Sequence, residues 1–209
     1  MTAQAAIRTF KLTAADGYHL TATLRGAECA GPLTVLAPAT AVPARFYARF
    51  AEYLSQHGRP VLTFDYRGQG ESAPPSLKGF EGRFRDWGIL DIPAAIAWAD
   101  GAYPGRPLHW VGHSFGGFGL GLAHNNARVD RLFAFASMSA DVRMMPLSAR
   151  LKTWPQFFAG TMIARTLGYL PAGLVGTEAL PKHAMLEWYR FCTTKEFVFG
   201  VKDLPETRH

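Results

Sequence analysis

The rhythm of apolar and polar positions changes along the chain. Near the start it alternates: Arg8–Leu12 and His19–Arg25 read as two half-buried strands around Asp16-Gly17, the signature of a hairpin. Short continuous apolar runs follow at Leu33–Ala37, Pro60–Asp65, Leu108–Val111 and Arg131–Ser137. Runs this short and this apolar predict strands covered on both faces. Between them lie helical periods. Pro43–His57 puts Phe46, Phe50 and Leu54 on one face, with Pro in the first turn and Gly58 at the stop. Asp86–Asp100 turns Ile89, Ile92, Ile96 and Ala99 inward, and Pro93 implies a start near Asp91 or a kink. Phe115–Asn125 is a third helix, rich in Gly and Ala on the side that approaches the sheet. The alternation predicts an α/β fold: a mostly parallel sheet with helices on both faces, introduced by an antiparallel hairpin.

After Asp141 the pattern changes. Residues 142–199 are rich in Trp, Phe, Leu, Met and Pro and show helical periodicity without strand-like runs. The chain therefore divides into a six-stranded core at 1–140, a helical insertion at 141–199, and a 200–209 segment that does not resume the strand–helix pattern. Composition supports a folded domain: 48% of the 209 residues are hydrophobic and 18% are charged, which excludes a disordered chain. The net charge of +6 is spread without a run of five like charges, so a solvated basic surface is expected rather than a nucleic-acid face. Met1–Phe10 lacks the apolar core of a signal peptide, and Phe157–Val175 is broken by Arg165 and Pro171. No stable membrane insertion and a cytoplasmic location are expected. Peripheral contact through the Phe157–Val175 face is a minor rival. Cys29 and Cys192 make no disulfide scaffold, no Cys/His spacing fits zinc, and no cofactor is expected.

Chemistry concentrates at Gly112-His113-Ser114-Phe115-Gly116-Gly117. A G-x-S-x-G pattern between a strand and a helix is a turn that lifts a serine hydroxyl out of the sheet. The strain and crowding there require very small residues two before and two after the serine. The Phe115 amide then faces the position where an oxyanion develops.

These residues resemble the nucleophile elbow of the α/β-hydrolase superfamily. Asp65-Tyr66-Arg67-Gly68-Gln69-Gly70-Glu71-Ser72 is similar to the turn after the fourth strand in many members, and Asp16-Gly17 to their first hairpin. Phe46-Tyr47, Asp86-Trp87 and Glu187-Trp188 resemble its serine aminopeptidase/lysophospholipase-like branch. The resemblance implies Ser114 as nucleophile and the Phe115 amide as one oxyanion donor. The Thr40 amide is the second, although Pro38-Ala39-Thr40-Ala41 stands where many members have His-Gly. It also implies a cap formed by the helical insertion. Arg67 reads as the anchor of its turn, and Trp87 and Asp91 as packing and capping residues.

The family places its acid after the seventh or sixth strand and its histidine after the eighth. Six core strands precede the insertion here and none follows, so the last strands are expected to be missing. Of what remains, Asp141 follows the sixth strand and His183 lies in the insertion, and the two form a conceivable acid–base pair. His113 and His124 read as structural, and Asp203 and His209 are too close in sequence to span a strand and its crossover. The insertion's aromatic and apolar side chains, among them Trp154, Phe157, Phe158, Met162 and Trp188, read as its core or as an acyl pocket. The expected function is a serine hydrolase acting on a small or medium apolar carboxylic ester, esterase or lysophospholipase-like. The alternative is a catalytically incomplete pseudo-hydrolase that binds a hydrophobic ligand or partner. An exposed sheet edge predicts dimerisation or aggregation.

Overall fold

The computed structural model describes residues 6–195 and 197–200; Asp203 and His209 lie outside them. Six strands form one sheet in the order β1-β2-β4-β3-β5-β6. They are β1 (Ile7–Thr13), β2 (His19–Arg25), β3 (Leu33–Ala37), β4 (Val61–Phe64), β5 (Leu108–His113) and β6 (Arg131–Phe135). β1 and β2 form the hairpin, with Thr13 opposite His19. β2 runs antiparallel to β4, and β4, β3, β5 and β6 are mutually parallel. The predicted α/β architecture is the observed one. β3 and β4 are buried along their whole length, as their unbroken apolar runs require.

The helices depart from expectation in detail. A 3-10 turn at Ala44–Tyr47 leads into α1 (Ala48–Gln56). Its buried positions are Tyr47, Ala51 and Ser55, one residue on from the predicted stripe, and Phe46 and Phe50 are exposed. Ala51 is small enough to seat α1 closely against Leu36 and Val61. Tyr47 turns inward because its hydroxyl finds partners there. The Asp86–Asp100 period resolves into α2 (Phe84–Asp86), a π-turn at Trp87–Asp91 and α3 (Ile92–Ala102). Pro93 lies in the first turn of α3, directly after the π-turn, the kind of irregularity that a proline inside a helical run brings with it. The third predicted helix is shorter: α4 (Phe115–Phe118) tightens into a 3-10 turn at Gly119–Leu122.

The last third holds α5 (Leu147–Leu167) and α6 (Lys182–Thr193). Two short strands that the periodicity did not reveal, β7 (Tyr169–Leu170) and β8 (Leu180–Pro181), pair between them. Gly168, at φ 87°, ends α5 in the left-handed conformation that suits glycine. Ala164, Leu170, Met185 and Phe191 belong to the same buried cluster as Trp87, Trp110 and Phe115. This segment therefore shares the core of the sheet.

The opposite edge differs. All five residues of β6 are exposed. Beside it a groove of about 990 Å³ opens between α1 and the sheet, lined by Phe50, Leu54, His109, Val111, Leu132 and Phe133.

Candidate active site

β5 leaves the sheet at Ser114, whose backbone sits at φ 50°, ψ −112° before α4 begins at Phe115. A non-glycine residue held there costs about 1–3 kcal/mol and needs a surround that over-determines it. The glycines supply the room. A methyl at Gly112 would run into the Gly116 carbonyl, and one at Gly116 into the Ala37 carbonyl. Hydrogen bonds hold the turn: Ser114 N–H donates to Phe135 O at 3.0 Å, and Gly117 N–H donates to Ser114 O at 3.0 Å. Ser137 Oγ donates to Ser114 O at 2.7 Å, and Trp110 Nε1 donates to Gly116 O at 2.7 Å.

Thr40 arrives from the neighbouring strand. The parallel register sets Ala37 beside Gly112, so the loop after β3 and the turn after β5 emerge together. Tyr47 ties them. Its hydroxyl accepts from Ala39 N–H at 3.0 Å and lies 2.8 Å from His113 Nδ1. Burial lowers the His113 pKa and pushes the Tyr47 phenol up to about 12. His113 also stacks on Phe135, with ring centroids 4.5 Å apart. The clamp thus fixes the residue before Thr40 and the residue before Ser114. The Phe115 amide, as the first in α4, has no partner within the helix. The Thr40 amide has no acceptor among the described residues.

The Asp65–Ser72 turn supports this arrangement from below. Asp65 accepts from Ala44 N–H at 2.6 Å and Glu71 N–H at 3.0 Å, while burial raises its pKa. Gly70, at φ 46°, leaves the room that the Asp65 carboxylate occupies. Arg67 anchors the turn, as the sequence predicts. Its backbone N–H and Nε bond to Asp91 at 2.9 and 2.8 Å, and its other arm reaches Asp16. Trp87 Nε1 donates to Arg67 O at 3.0 Å. Burial pushes Asp91 up to about 6, against the pull of Arg67.

Asp141 and His183 are engaged elsewhere. Asp141 caps the short turn at 142–144 and pairs with Arg143 at 2.5 Å. Burial and the Asp141 charge push the neighbouring Cys192 thiol up to about 12. His183 Nε2 lies 3.5 Å from Glu81 Oε2, beside Arg83 and Glu187. Among the described residues, no side chain is hydrogen-bonded to Ser114 Oγ. None of their His, Cys, Asp and Glu side chains cluster as a metal site. Sequence reasoning missed the Tyr47 clamp, because its partners lie 8 and 66 residues away and no local pattern marks them.

The family model described as the alpha/beta hydrolase fold matches residues 40–185. The chain belongs to the α/β-hydrolase fold family. Solved structures agree on the fold. This hydrolase-fold chain is similar to the Pyrococcus furiosus esterase Pf2001, at 23% identity over 74% of this chain and 62% of that one, with a TM-score of 0.53. It is similar to XC6422 from Xanthomonas campestris, described as an a/b serine hydrolase without lid, at 18% identity over 71% and 66%, TM-score 0.51. It is also similar to the alpha/beta hydrolase GrgF from Penicillium sp. sh18, at 20% identity over 87% and 63%, TM-score 0.56. The chain thus spans less than two thirds of the length of each. Its sequence matches none of the curated proteins.

Proposed function

We propose that this α/β hydrolase cleaves a small or medium apolar carboxylic ester, of the esterase or lysophospholipase-like type, through an acyl-enzyme on Ser114. The observation that carries the reading is the strained Ser114 turn, with the Phe115 amide opening α4 and the loop that carries Thr40 tied to the same turn through Tyr47. Ser114 Oγ attacks the ester carbon and gives its proton to a base. The carbonyl electron pair moves onto oxygen, where the two amides hold it. The oxyanion then collapses, the alcohol leaves with the proton, and water releases the acid.

The pair left conceivable by the sequence is not assembled: Asp141 lies by Cys192, and His183 stands nine residues earlier on α6 beside Glu81, so this reading assigns no base among the described residues. Residues 141–199 act as the cap. Gly176 rests on Ala41 beside the oxyanion loop, Arg45 pairs with Glu178, and Pro181 covers Gly68. Apolar side chains of this cap select the acyl group.

The test is a series of p-nitrophenyl esters of increasing chain length, with intact mass measured during turnover. The reading predicts a burst of nitrophenol and an acyl adduct, both lost in Ser114→Ala. A folded chain that forms no adduct contradicts it. A second reading, a hydrolase scaffold that binds a hydrophobic ligand without cleaving it, is favoured by the lack of a hydrogen-bonded partner for Ser114 Oγ among the described residues. It predicts ester binding with no adduct.

A further inference from the structure

We propose that the outer face of α5 docks on an anionic lipid surface. Leu147, Leu151, Trp154, Phe158 and Met162 recur at intervals of three or four residues, so they form one stripe along the helix. All are exposed: Leu147 by 65%, Leu151 by 66%, Trp154 by 50%, Phe158 by 52% and Met162 by 42%. The stripe is not the helix's packing face. Gly160, Thr161 and Ala164 are buried instead, and Phe157 meets Trp188 edge-on at 4.8 Å. The face anticipated at Phe157–Val175 is thus partly internal, and the exposed one runs further toward the N-terminus of α5. A helix of 21 residues is about 30 Å long, so the stripe is a continuous apolar surface of a size that marks an interaction site.

Charge identifies the occupant. From Val142 to Thr177 the chain carries Arg143, Arg150, Lys152 and Arg165 and no Asp or Glu. Arg143 is paired with Asp141. Arg150, Lys152 and Arg165 are exposed and have no ion pair among the described residues. An apolar stripe containing Trp and flanked by cations suits the boundary between lipid headgroups and acyl chains. A second copy presenting the same basic face would repel it. No described helix is long and apolar enough to cross a membrane, so the contact is peripheral. The surface belongs to α5 alone and stands whether or not Ser114 is acylated.

The experiment uses the full chain carrying Ser114→Ala, so that lipid cleavage plays no part, with vesicles of brominated phosphatidylglycerol or brominated phosphatidylcholine. Trp87, Trp98, Trp110 and Trp188 are buried or half-buried, so quenching by lipid bromine reports on Trp154. The expected result is flotation with the anionic vesicles at low salt, with quenching that disappears in Trp154→Phe. Binding falls about tenfold or more in Trp154→Ser/Phe158→Ser, and by a similar factor in Arg150→Gln/Lys152→Gln/Arg165→Gln. Failure to bind anionic vesicles overturns the proposal, as does equal binding to neutral ones or binding that ignores the charge substitutions. So does a concentration-dependent dimer that Trp154→Ser/Phe158→Ser dissolves in the absence of lipid.

Discussion

The two sides of β5 carry opposite kinds of surface. Toward β3 and β4, Gly116 packs against the Ala37 carbonyl, and Arg67 and Asp91 are buried with their charges paired. Toward β6, five consecutive residues are exposed and a groove lined by both apolar and charged side chains lies open. The difference shows where the fold concentrates its constraint. Buried ion pairs and close backbone packing concentrate on the β3–β4 side, whereas the hydrogen bonds that reach Ser114 from outside its own turn come from the Phe135 carbonyl and the Ser137 hydroxyl, at and just beyond the end of β6.

Substitutions on the constrained side should therefore cost far more than those at the edge. Arg67→Met leaves Asp91 buried without its partner and should lower stability by about 3–5 kcal/mol in urea titrations. Burial already raises the Asp91 pKa, and losing Arg67 raises it further. The loss should be larger at pH 8, where the folded state must keep an unpaired carboxylate, than at pH 5, where Asp91 takes up a proton. An unchanged urea midpoint would break the comparison at its strongest point. Gly112→Ala drives a methyl into the Gly116 carbonyl and should cost about 3 kcal/mol by the same measurement. Tyr47→Phe strands Ala39 N–H and His113 Nδ1, for about 1–3 kcal/mol. It should also lower the rate of Ser114 acylation more than it raises KM, because it loosens the Thr40 loop without removing an acyl contact.

His113 sharpens the comparison through pH. Its folded pKa lies below the ordinary 6.5, so the unfolded chain binds more protons in the window just under that value. The stability it contributes is present above pH 6.5 and is lost as pH falls through the folded pKa. His113→Gln should flatten that part of the pH–stability curve. The smallest effect is at the edge. Leu132→Thr with Phe133→Thr should change stability by no more than about 0.5 kcal/mol. We propose that this edge self-associates, and the pair should then abolish a dimer seen by light scattering. A large loss of stability instead would show that β6 is packed like the rest of the sheet.

Most of the sheet was legible because buried strands advertise themselves as short apolar runs, as at Leu33–Ala37, which matches β3 residue for residue. The strained turn at Ser114 was legible because close backbone approach leaves glycine at fixed spacing around it. Arg67 as an anchor could also be anticipated. The face of α1 could not. Phe46 and Phe50 suggest a core on hydropathy, yet the helix seats through Ala51 and a tyrosine whose hydroxyl is bonded inside. The π-turn before Pro93 is the irregularity that the proline announced in the sequence, whereas the early end of α4, where Gly119 sits against the Phe115 ring, depends on packing that periodicity does not carry. Residues distant in sequence, such as Ala39, Tyr47 and His113, meet only once β3 and β5 lie side by side.

The central claim is that the Ser114 turn holds an activated nucleophile. Treating the 209-residue chain with a fluorophosphonate and measuring its intact mass tests it most directly. The account predicts one adduct per chain, absent in Ser114→Ala. A cooperatively folded chain that takes up no fluorophosphonate would contradict it and leave the turn a scaffold for binding alone.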